Sequence, residues 1–110
     1  MAAGKWVYVS NETLRLIKLC VGEKNRNYDD VIRDALVTVI EKGGGYVLDF
    51  PREGKHRVSV SDETHYLVNR LKMELEYSTQ DELLFDVMVN YLRRMGMHGS
   101  CIEEILRLDV

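Results

Sequence analysis

The chain has 110 residues and a formal charge of −3, with 45% apolar and 30% charged side chains. That length and balance support a single compact domain over 1–110 and exclude a disordered chain. No apolar run approaches the ~18 residues a membrane span needs, and two cysteines, Cys20 and Cys101, make neither a disulfide framework nor a zinc site.

The first residues, Met1 to Lys5, lack the apolar stretch of a signal peptide, so a cytoplasmic chain is expected. Trp6 to Ser10 then alternates, with Val7 and Val9 on one face, which predicts a short strand. Ser10 or Asn11 can cap the helix that follows, whose apolar stripe is Leu16, Ile17 and Cys20. A turn at Asn25-Arg26-Asn27 precedes a second helix, with Asn27 as N-cap and Asp30 three residues on. Its apolar face is Val31, Ile32, Ala35, Leu36, Val39 and Ile40, and it stops at Gly43-Gly44-Gly45.

A linker, 43–55, contains Pro51 and an apolar middle of Tyr46, Val47, Leu48 and Phe50, which should lie against the domain. The pattern then returns. Val7-Tyr8-Val9-Ser10-Asn11-Glu12-Thr13 matches Val58-Ser59-Val60-Ser61-Asp62-Glu63-Thr64, and Leu16, Ile17 and Cys20 match Leu67, Val68 and Leu71. After one added residue in the turn at Tyr77-Ser78, the apolar face of the second helix faces Leu83, Leu84, Val87, Met88, Tyr91 and Leu92. Thr79 and Glu82 form a capping box, and Gly96 closes the helix. The chain is thus read as a tandem repeat: 5–42, linker 43–55, 56–96, and a tail 97–110. Ser100 to Glu103 predicts a further capping box opening a short tail helix with Ile102, Ile105, Leu106 and Leu108.

One strand and two short helices cannot bury their own apolar faces. Two units can, with the strands paired antiparallel and Val7, Val9, Val58 and Val60 turned into a shared core. The expected fold is mainly α with a two-stranded antiparallel β-ribbon. Trp6, Tyr8, Ser10, Arg57, Ser59 and Ser61 then point outward.

The Val-Ser-Val-Ser-Asp-Glu-Thr start followed by two amphipathic helices resembles the ribbon-helix-helix DNA-binding family of Arc/MetJ type, here as a fused pseudo-dimer. The resemblance covers Lys5 to Lys42 and His56 to Met95. It implies a sequence-specific, double-stranded-DNA-binding transcriptional regulator of prokaryotic, archaeal or viral type, whose ribbon enters the major groove. The base-contacting positions would be Trp6, Tyr8, Ser10, Arg57, Ser59 and Ser61. Phosphates would be met by Lys5 and His56, and by the second-helix starts at Asn27, Tyr28, Thr79 and Gln80, where free N–H groups favour an anion.

The residues themselves leave other readings open. Only Arg57 has the fork that matches guanine, and Trp6 and Tyr8, besides meeting thymine methyls or sugars, also fit a protein contact or cross-strand packing. An antitoxin-like or host-factor-sequestering module on the same scaffold is the alternative. The first repeat carries a net +1, the second −2 and the tail −2, so the first repeat and both strand ends lean basic while the second repeat and tail hold the excess acid. Asp29, Asp30, Asp81 and Glu82, beside the expected phosphate positions, would oppose DNA. His56, His65 and His98 lack metal spacing, no nucleophile–base pair is visible, and no cofactor motif appears, so no enzyme is expected. A monomeric pseudo-dimer or a homodimer through the tail are the expected states, with no membrane contact.

Overall fold

A computed structural model describes residues 4–24 and 26–108. Their order is β1 (Lys5–Val9), α1 (Asn11–Lys24), α2 (Tyr28–Lys42), β2 (His56–Val60), α3 (Asp62–Glu74), α4 (Gln80–Arg94) and α5 (Gly99–Arg107). The fold is mainly helical with one two-stranded antiparallel sheet. Asn25, in the expected first turn, lies outside the described residues.

The strands pair Lys5 with Val60, Trp6 with Ser59, Val7 with Val58, Tyr8 with Arg57 and Val9 with His56. Their alternate valines are buried as the period of two requires, against a core built from Leu16, Ile17, Ile32, Leu36, Leu84 and Met88. The helices begin where short polar side chains take up orphan N–H groups. Ser10 Oγ accepts from the Thr13 N–H, Asn27 from Asp30 and Ser61 from Thr64. At α4 the full Thr79–Glu82 capping box is present. Gly43 (φ 77°) and Gly96 (φ 101°) take left-handed turns after α2 and α4, a region open to glycine.

Two local expectations are corrected. Ser100 does not cap α5: the helix already starts at Gly99, with His98 at the N-cap and no side-chain cap bond. The α2 stripe is narrower than the sequence pattern suggests, because Ile40 is 52% exposed while its counterpart Leu92 is buried. The linker lies on the domain as expected. Leu48 is buried, Tyr46 and Phe50 pack on the core, and Val47 stays in solvent.

α4 carries eight buried residues and α2 four. The difference follows from what lies beside each helix. The linker runs along α4, with the Tyr46 N–H donating to Asn90 Oδ1 (3.1 Å), and the Arg52 guanidinium over the Phe85 ring (4.6 Å) and bonded to Asp81 (3.0 Å). α5 packs on α4 and α1 as well. No helix of the described chain long and apolar enough to cross a membrane is present.

Candidate nucleic-acid interface

Four side chains make the outer face of the ribbon: Trp6 and Tyr8 on β1, Arg57 and Ser59 on β2. All are exposed, and the two aromatics are the largest, at 41% and 40%. Arg57 stands opposite Tyr8, yet its guanidinium reaches diagonally to the face of Trp6, 4.5 Å from the ring centroid. Lys55, just before β2, places its ammonium 4.6 Å from the Tyr8 centroid. Each exposed ring is therefore covered by a cation, an arrangement worth about 0.5–1 kcal/mol per pair at an exposed site.

Neither strand contains an Asp or Glu, and the segments 4–10 and 54–61 carry Lys5, Lys55 and Arg57 as fixed cations in a chain of net −3. The two strands thus carry only cationic fixed charges in an acidic protein. Lys55 is a functional candidate that sequence reading missed. It falls at the repeat position of Gly4, so the repeat gave no reason to single it out.

The remaining expected contact residues are placed as follows. Ser10 is not on the outer face: it is 4% exposed, and its hydroxyl is shared with Thr13. Ser61 is exposed, but its hydroxyl serves as the α3 cap. By strand parity Lys5 and His56 belong to the valine face, and each is exposed because it is the first residue of its strand. The His56 ring nitrogen Nε2 is hydrogen-bonded to Asn11 Oδ1. Asn27 and Thr79 are occupied as caps, and Tyr28 packs half-buried on the core. Gln80 ties down the ribbon instead. Its Oε1 accepts the Tyr8 N–H (2.9 Å) and its Nε2 donates to Asn69 (3.2 Å).

The helix-start carboxylates have structural work of their own. Asp81 Oδ1 accepts the Ser10 N–H (2.7 Å) and the Thr13 hydroxyl (2.6 Å). Asp29 Oδ1 accepts the Ser61 N–H (2.8 Å) in the same way. Each junction between strand and helix is thereby fixed to the start of a second helix far away in sequence. Glu82 Oε1 takes the N–H groups of Ser78 and Thr79 (3.1 Å each) and Thr79 Oγ1 takes that of Glu82 (3.1 Å), so a carboxylate and a hydroxyl already serve three donors around the α4 start.

Burial pushes the Asp29 carboxyl up, but the hydrogen bonds from Ser61 and Thr64 and the charge of Arg33 outweigh it, so the group sits below its ordinary value. A carboxylate depressed in the folded state adds stability above its unfolded value, and that stability is lost as pH falls through the lower folded one. The urea midpoint should therefore fall below about pH 4, and Asp29→Asn should flatten that part of the profile. An unchanged profile would refute the role of Asp29.

Among the described residues, no group of three or more His, Cys, Asp and Glu side chains could hold a metal ion. No protein-family model, curated protein or solved structure matches the chain.

Proposed function

We propose that the chain is a tandem ribbon-helix-helix protein, folded as an intramolecular pseudo-dimer, that binds double-stranded DNA through its ribbon as a transcriptional regulator. The observation that carries the reading is the ribbon: two strands free of carboxylates, with Lys55 and Arg57 over the two exposed aromatics of the outer face and Lys5 at the start of β1. The pseudo-dimer is supported by the register. Val7 pairs with Val58, its own repeat equivalent, and the Ser10–Asp81 and Ser61–Asp29 contacts are images of each other. A two-stranded ribbon fits the major groove, where a guanidinium can fork onto guanine.

In this reading Arg57 leaves Trp6 to reach a base, Trp6 and Tyr8 meet thymine methyls or sugars, and Lys5 and Lys55 take phosphates at opposite ends of the ribbon. The helix starts contribute less than the family pattern implies, because Asp29, Asp81 and Glu82 occupy them. Two phosphate-reaching cations, Lys5 and Lys55, give a logarithmic salt slope of about −2. Binding to genomic fragments over a salt series tests this. Arg57→Ala should weaken specific binding by about 1–3 kcal/mol and relax the preferred sequence. The absence of saturable binding at low salt would overturn the proposal.

One observation favours the second reading, a protein partner. A guanidinium laid on an indole and an ammonium laid on a phenol form a flat aromatic patch, the composition of interface anchors. Trp6→Ala with Tyr8→Ala separates the two. Loss of a stoichiometric protein complex, without any DNA footprint in the parent chain, would assign the ribbon to protein.

A further inference from the structure

α5 is a short amphipathic helix seated between α1 and α4, where it buries Ile102 and Leu106. Its last carbonyls are capped from outside the helix. Arg15 on α1 donates to Ile105 O (3.2 Å), Leu106 O (3.4 Å) and Leu108 O. By the repeat correspondence α1 and α4 match α3 and α2, so the position equivalent to the α5 groove is the one between α2 and α3. Nothing follows α2 to fill it, because the chain there continues through the linker toward β2.

The side chains record the difference. Val89 and Leu92 on α4 are buried, while their equivalents Val37 and Ile40 on α2 are 36% and 52% exposed. Arg15 corresponds to Tyr66, 59% exposed, whose hydroxyl accepts from Arg70. Phe85 corresponds to Arg33, which crosses from α2 to Glu63 on α3 (3.3 Å).

We infer that the α2–α3 groove is a docking site for a short amphipathic helix of a partner protein, one with apolar residues spaced as Ile102, Ile105 and Leu106 are. The occupant is argued from α5 itself, the chain's own example of what such a groove takes. A second copy cannot supply that helix without unseating it, since Ile102 and Leu106 of its α5 are buried in its own chain. Val37 and Ile40 supply exposed apolar surface on α2, and the Arg33–Glu63 and Arg70–Glu74 pairs add charges of both signs from α2 and α3, which fits a helix with a mixed polar face. The inference rests on the two-repeat reading of the fold and not on DNA binding.

The test is a titration of the isotope-labelled full chain with a synthetic peptide of residues 97–108, followed by amide chemical shifts. Saturable shifts at Val37, Ile40, Tyr66 and Leu67 are expected. Ile40→Asp, at an exposed position, should weaken them about tenfold, and a peptide carrying Ile102→Asp should produce none. Shifts confined to α1, α4 and α5 would mean exchange with the resident helix and would overturn the inference, as would a lack of saturation. The same α2–α3 shifts on concentrating the protein alone would assign the face to a second copy and also overturn it. A DNA titration of the same sample reads the ribbon separately, so the two proposals fail independently.

Discussion

Replacing Asp81 with alanine should lower the unfolding free energy by about 3 kcal/mol, seen as a reduced urea midpoint with an unchanged slope. Asp81 takes a backbone N–H and a hydroxyl on one oxygen and a guanidinium on the other. Thr13 is fully buried, so its hydroxyl would lose its acceptor where no water reaches. Arg52, a quarter exposed, can still be hydrated and adds less. Asp81→Asn keeps an acceptor and should recover part of the loss. Should Asp81→Ala change stability by under about 0.5 kcal/mol, the level of an ordinary surface substitution, the junction is not held as described.

Phe85→Ala should cost about 3–5 kcal/mol, the range for truncating a buried phenylalanine. The ring is fully buried and carries Arg52 on its face, so its loss opens a cavity and frees the linker together. Asp81 and Phe85 act on the same guanidinium. The double variant should therefore fall short of the summed single effects by more than about 0.5 kcal/mol, the limit for independent sites. Strict additivity in a double-mutant cycle would show that Arg52 does not join them.

The ribbon was legible in the sequence because strand periodicity is local: alternate valines share a face whatever they pack against. The caps at Asn27, Ser61 and Thr79 were legible for the same reason, since donor and acceptor are three residues apart. Distance along the chain hid the rest. Asp81 reads as a charge that would repel phosphate, and its role depends on Ser10 and Thr13, about seventy residues away. Ser10 belongs to the outward series by parity, but β1 ends at Val9 and the serine turns into the helix start. Ser100 has a capping spacing, yet the backbone has already entered α5 one residue earlier. The pairing of Arg57 with Trp6 is diagonal across two strands, so it appears only when the register is known. The exposure of Ile40 has a similar cause, since an apolar stripe tells which residues can be buried but not what lies above them.

The register of the ribbon bears on how this protein can change. Val7 meets its own repeat equivalent at the centre, but the flanking outward residues differ: Trp6 and Tyr8 on one strand, Arg57 and Ser59 on the other. In an assembly of two identical chains every substitution is made twice, and both halves of a recognised site must shift together. Here a single codon alters one strand and leaves the other as it was. Under the proposed function, either half of the ribbon face can drift, be tested and be retained while its opposite number preserves binding.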